Sequence, residues 1–155
     1  MTIQEIEDQI VGEFSQFEDW LDRYNYLIEM GKALPVIDPG FKTDNYLISG
    51  CQSRVWLHAR HEDGRLYFTA DSDAVITRGI VSLLIRVLNG KTTEEILQAH
   101  LGFIDAIGLR EHLSPTRANG LLSMIKQIKL YALAFQTKTR DARSNPAEQR
   151  RKGTA

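Results

Sequence analysis

Between Ser53 and Ala70 the hydrophobic period of the chain is two, and on both sides of that stretch it is helical. Val55, Leu57 and Ala59 alternate with Arg54, Trp56, His58 and Arg60. After Asp63-Gly64, a pair suited to a two-residue hairpin turn, Leu66, Phe68 and Ala70 resume the alternation. Two antiparallel strands, over 53–60 and 65–70, are predicted, with a short third strand over Asn45–Ile48. A sheet this small cannot enclose a core by itself, so helices must close it.

The flanks supply those helices. Thr2 with Glu5 and Ser15 with Glu18 have capping-box spacing. The positions Ile3, Ile6, Ile10, Phe14 and then Phe17, Leu21, Tyr24, Ile28 follow a helical period, so two helices are expected before Gly31, which suits a helix end. Pro35, Pro39 and Gly40 make the chain to Phe41 irregular. Beyond the hairpin, Asp71-Ser72-Asp73 offers caps for a helix over 74–88, apolar through Ile76, Ile80, Leu83, Leu84, Val87 and Leu88. Asn89-Gly90 stops it, Thr92 and Glu95 open a short helix, and a further piece spans 102–107. Ser114-Pro115-Thr116 starts a long last helix with a stripe of Leu121, Ile125, Ile128, Ala132 and Phe135. The architecture expected is α+β, a small antiparallel sheet of two to three strands packed by N- and C-terminal helices.

A chain of 155 residues with 43% hydrophobic content fits one domain, placed over 1–137. Segment 138–155 is basic, with Lys138, Arg140, Arg143, Arg150, Arg151 and Lys152 against Asp141 and Glu148, and has too few apolar residues to offset the entropy of ordering. It is expected to be a disordered, solubilising tail; without an aromatic platform it is a poor nucleic-acid arm. The whole chain has a net charge of −1, which favours neither nucleic acid nor an anionic membrane as a partner. The N-terminus has no signal-peptide pattern, and no apolar run approaches the roughly 20 residues of a membrane span, so a cytoplasmic location is expected.

Cys51 is the only cysteine, and it stands in Gly50-Cys51-Gln52-Ser53 rather than in an apolar run. A lone thiol forms no intramolecular disulfide and supplies no multi-thiolate zinc site. It can be a buried spectator, a nucleophile, a single metal ligand or a covalent carrier. His58, His61, His100 and His112 are the candidate bases for a thiol hydrolase, and spacing selects none of them. Paired metal-ligand spacing is missing, as is a phosphate-binding glycine loop. Arg117 falls in the first turn of the last helix, where the helix dipole disfavours a cation; it is either a surface residue or a fork for an acidic partner or a thiolate. Asp73 is accounted for as a helix cap.

Gly50-Cys51-Gln52-Ser53-Arg54-Val55-Trp56 resembles the signature of the SufE family of sulfur acceptors. The segments Ala70-Asp71-Ser72-Asp73-Ala74-Val75-Ile76-Thr77-Arg78-Gly79 and His112-Leu113-Ser114-Pro115-Thr116-Arg117-Ala118-Asn119-Gly120-Leu121 match the same family in order. The resemblance spans Met1 to about Gln136 and leaves the basic tail outside. It implies a SufE/IscU-like fold and a role as sulfur acceptor and activator of a SufS-type cysteine desulfurase. Cys51 would take persulfide sulfur and pass it to a SufBCD-type Fe-S assembly complex. It implies no bound cofactor or metal, since the pyridoxal phosphate belongs to the partner. Arg117 and Asp73 would act at the cysteine loop or the partner surface, together with Gly50, Gln52 and Ser53. A lone cysteine then has its own logic: no second thiol is present to resolve the persulfide. His100 stands where many members carry aspartate, a departure expected to bear on helix capping. A thiol carrying a persulfide is expected to be tucked against apolar side chains and turned outward on docking. The alternatives are a metal or Fe-S scaffold module of the related fold and a cysteine-nucleophile hydrolase.

Overall fold

A computed structural model describes residues 1–144. Two helices, α1 (Ile3–Phe14) and α2 (Trp20–Lys32), lead through 3-10 turns at Pro39–Phe41 and Asp44–Tyr46 into strands β1 (Val55–Glu62) and β2 (Arg65–Ser72). Helix α3 (Val75–Leu88), the two-residue strand β3 (Lys91–Thr92) and the short helices α4 (Thr93–Gln98), α5 (Phe103–Ala106) and α6 (Leu109–His112) follow. The last helix, α7 (Pro115–Ser144), runs past the domain end expected at residue 137, so 138–144 is helical rather than disordered; the rest of the tail expectation, 145–155, lies outside the described residues.

The hairpin forms as its alternation requires. Asp63 and Gly64 have φ of 52° and 76°, the pair of positive values that a type I′ turn needs, and the register runs from Glu62↔Arg65 to Val55↔Ser72. Val55, Leu57, Ala59, Leu66, Phe68 and Ala70 therefore share the inner face, all buried. The sheet order is β1-β2-β3, entirely antiparallel. The third strand is not the one expected. Asp44–Tyr46 is a 3-10 turn, and only an isolated bridge, Leu47↔Trp56, joins that segment to β1. Lys91–Thr92 pairs with β2 instead, and Asn89 Oδ1 accepts from Phe68 N at 2.7 Å, extending the coverage of that edge.

Helix α3 packs on the inner face through Ile80, Leu83, Leu84, Val87 and Leu88, all buried. Complete burial of one such aliphatic side chain contributes about 1.5–3 kcal/mol. Leu121, Met124, Ile128 and Ala132 of α7 complete the core, while Tyr131 OH donates to Leu57 O at 3.1 Å on β1. The outer face of β1 is covered by the 39–46 segment. His58 stacks on Phe41 at 3.6 Å, and Lys42 lies 4.9 Å over Trp56 and 3.1 Å from Asp71.

Thr2 caps α1 and the Thr92–Glu95 box caps α4, both as expected. Helix α2 is corrected in start and phase. Ser15 belongs to the end of α1, donating to Val11 O at 2.6 Å, and Asp19 caps α2 through Leu21 N. Leu21 is then 64% exposed and Leu27 is 1% exposed. Gly31 does not end α2 but lies within it, where the helix presses on α3.

A polar staple joins α1, α2 and α3: Arg86 Nη1 donates to Glu13 Oε1 at 2.9 Å, Arg86 Nη2 meets Glu13 Oε2, and Tyr26 OH donates to Glu13 Oε1. The Arg86 hydrogen bond outweighs burial and holds the Glu13 carboxyl below its ordinary value of 4.5. A carboxyl depressed on folding stabilises above its unfolded value, and that stabilisation is lost as pH falls through the folded one. Glu13→Gln is thus expected to cost about 1 kcal/mol at pH 7. The difference from wild type should vanish on acidification below 4.5, as read by urea melts across pH. A gap that persists in acid would remove the ionic contribution.

Candidate functional site

The loop between the Leu47 bridge and β1 carries Cys51, and it rests on α7. Gly50 has φ +89°, the left-handed region that favours glycine, and a side chain there would also displace the Ser123 hydroxyl of α7. Cys51 follows, half-buried, with Sγ donating to Gly120 O at 3.6 Å. The thiol packs at the margin of the main core, and burial pushes its pKa above the ordinary thiol value.

A cavity of about 300 Å³ opens beside Sγ. Its walls come from three segments: Cys51, Gln52 and Ser53 of the loop; Thr77 and Ile80 of α3; and Ser114, Thr116, Arg117, Gly120 and Met124 at the start of α7. Ser114 Oγ accepts from Arg117 N at 3.3 Å, which fixes the first turn of α7 and carries Arg117 to the cavity. Among the described residues Arg117 forms no ion pair, and it and Cys51 are the only ionisable residues lining the cavity. Arg117 is exposed at the rim and leaves the raised thiol pKa unopposed, so it is a cation available to an anionic group entering the cavity rather than a partner of the resting thiol.

Asp73 does not cap α3. Its Oδ1 accepts from Arg54 N at 3.1 Å, while Asp73 N donates to Arg54 O at 3.3 Å and Ser72 Oγ to the same carbonyl at 2.8 Å. Asp73 thus clamps the residue at the exit of the cysteine loop. The α3 cap position is Ala74, whose N donates to Ser72 Oγ at 3.2 Å. Of the residues singled out from sequence, Cys51, Gln52, Ser53 and Arg117 line one cavity, and Gly50 and Asp73 hold its loop from either side. Thr77, Gly120 and Met124 were not singled out. Thr77 and Gly120 lie in the two downstream segments that resemble the family, but position along a helix does not reveal which side chain faces a loop folded from elsewhere.

No histidine reaches this cavity. His58 is stacked under Phe41, where burial and then the Arg60 charge hold its imidazole below the ordinary 6.5. His61 stacks on Phe135, and His112 stacks on Trp20 at 3.9 Å with Nδ1 2.9 Å from Gly108 O. His100 follows the end of α4 and makes no side-chain hydrogen bond among the described residues, so the expected capping role is not seen. It borders a wider cleft of about 700 Å³ between α1 and the α4–α5 segment. That cleft holds no thiol, and its buried carboxylate, Glu7, has a structural task in accepting from Phe103 N at 3.5 Å. Among the described residues no group of three His, Cys, Asp or Glu side chains could hold a metal ion, and no helix is long and apolar enough to cross a membrane.

An α+β domain with one half-buried thiol beside a small cavity, and Arg117 in the wall of the same cavity, presents a thiol-centred site. Residues 8–132 match the family model described as SufE, Fe-S metabolism associated domain, and the chain belongs to the SufE family. It is 45% identical over 127 residues to an uncharacterized SufE-like protein of Rhizobium meliloti, covering 79% of this chain and 91% of that one. It is 37% identical over 117 residues to the sulfur acceptor protein CsdE of Escherichia coli, covering 74% of this chain and 80% of that one. Its fold resembles the solution structure of a hypothetical protein from Thermus thermophilus, with a TM-score of 0.70 at 24% identity, over 85% of this chain and 96% of the other.

Proposed function

We propose that this protein is the sulfur acceptor and activator of a pyridoxal-phosphate cysteine desulfurase of SufS type. Cys51 takes sulfur from the partner's persulfide and passes it to an Fe-S assembly complex of SufBCD type in the cytoplasm. The observation that carries this reading is the Cys51 cavity, whose wall holds the lone half-buried thiol and, at its exposed rim, Arg117. Family membership and the resemblance to a sulfur acceptor supply the chemistry. The Cys51 thiolate attacks the terminal sulfur of the donor persulfide; a new S–S bond forms at Sγ, the donor S–S bond breaks, and the electron pair leaves on the partner's thiolate. The pyridoxal phosphate stays with the partner, and this chain needs no cofactor of its own.

The half-buried Sγ, directed at Gly120 O, has to turn outward to reach a donor, so docking and activation are linked. The raised thiol pKa works in the same direction, leaving little thiolate until the loop is displaced. Incubation with a SufS-type desulfurase and cysteine is expected to add about 32 Da per sulfur to the intact protein, removable by a reductant. Absence of the adduct in a demonstrated complex would sink the proposal. Stoichiometric iron or zinc retention without an adduct would favour a scaffold module instead.

A further inference from the structure

Thr77 is the buried polar residue of the Cys51 cavity, only 5% exposed, and among the described residues its hydroxyl makes no hydrogen bond. It is not sealed in. The one enclosed side-chain polar atom lacking a hydrogen bond among the described residues is Arg78 Nε, which faces Asp71 Oδ1 at 3.0 Å off the bonding direction. The Thr77 hydroxyl therefore opens onto the cavity. The fold itself makes no use of the hydroxyl, since valine would fill the same shape on α3, and this leaves Oγ1 free for a group held in the cavity. The remaining wall narrows what the hydroxyl can serve. Ile80 and Met124 offer no strong donor, Gly120 presents a carbonyl to Sγ, Ser53 is half-buried, and Gln52, Ser114, Thr116 and Arg117 are exposed, which leaves Thr77 as the one fully buried hydroxyl in the wall.

We propose that Thr77 is a persulfide-binding residue, its Oγ1–H donating to the terminal sulfur carried by Cys51. This rests on the sulfur-acceptor function proposed above. Loading replaces the Sγ–H with an Sγ–S bond, so Gly120 O loses its donor and the ionisable position moves one atom outward. The terminal sulfur releases its proton to solvent and lies as an anion in the cavity, where Thr77 supplies a buried donor and Arg117 a charge at the rim. No oxidant or reductant is needed, because the sulfane sulfur arrives at the oxidation level at which it is held.

The test uses the full chain loaded with inorganic polysulfide, and in a parallel arm with desulfurase and cysteine. The pH dependence of persulfide alkylation and the survival of the adduct against a thiol are followed in wild type, Thr77→Val and Thr77→Ser. Loss of a hydrogen bond to a charged group predicts a midpoint about one pH unit higher in Thr77→Val and an adduct lost roughly tenfold faster at neutral pH. Thr77→Ser should return both to near the wild-type values, and all three should melt alike before loading. Thr77→Ala makes the same comparison if valine disturbs the melt. An unchanged midpoint and survival in the hydroxyl-free variants overturns the assignment. Loading by polysulfide but not by the desulfurase overturns the acceptor function while the Thr77 comparison still decides its own question.

Discussion

Cys51→Ser is expected to take up no sulfur at all, with the 32 Da gain of about one sulfur falling below detection, a loss of more than roughly a hundredfold. A serine hydroxyl is essentially un-ionised at neutral pH, whereas a thiol retains a small reactive thiolate fraction even when burial raises its pKa. The fold should not change. Cys51 is half-buried and makes one long bond to Gly120 O at 3.6 Å, a contact that a hydroxyl can keep after a small shift of the loop. Stability should therefore stay within about 1 kcal/mol of wild type, so loss of transfer in a protein that melts normally isolates the chemistry. Intact-mass analysis beside a thermal melt reads both. With no second cysteine in the chain, sulfur retained by the serine variant would mean non-covalent binding and would refute transfer to Sγ.

The second large effect lies away from the thiol. Gly79→Ala is expected to destabilise the protein by about 3 kcal/mol or more, lowering the melting temperature by roughly 10 °C. Helix propensity alone predicts the opposite, favouring alanine by about 1 kcal/mol in a helix interior. Packing decides the sign. A Cβ at 79 would lie 2.3 Å from Leu27 O and 2.7 Å from Leu27 Cγ, and the carbonyl belongs to the backbone of α2 and cannot swing aside. Gly31 faces the same crossing, where a Cβ would meet Gly79 N at 2.7 Å, and Ser82 Oγ donates to Met30 O at 3.1 Å beside it. Because α3 also carries Thr77 and Ile80, forcing the helices apart should disturb the Cys51 cavity. A denaturant midpoint unchanged or raised in Gly79→Ala would show that the helices do not approach this closely.

These two residues also mark how far the sequence could be read. The hairpin was legible because its determinants are local: alternation sets which side chains face inward, and Asp63-Gly64 sets the register. The same holds for the Thr92–Glu95 box. Strand β3 was not legible, because Lys91–Thr92 is too short to show a period and exists only by pairing with β2. Nor was the phase of α2. Ser15–Glu18 and Asp19 are competing starts, and which one wins depends on Leu27 and Gly31 docking against α3. Asp73 shows the same limit at the site: a carboxylate before a helix suggests a cap, but Arg54 N, brought alongside by β1–β2 pairing, takes it instead.

For the function, the sequence by itself determined that there is one thiol, that it stands in a glycine-led turn entering a strand, and that two distant segments accompany it in the family pattern. Those are properties of composition and local spacing. The tertiary structure alone decided what surrounds Sγ. Thr77, Arg117 and Gly120 share the wall of one cavity with Cys51 only because α3 and α7 pack around the hairpin, and Gly120 contributes through a backbone carbonyl. No pattern in the chain announces a contact of that kind, because long-range packing sets which face each helix presents.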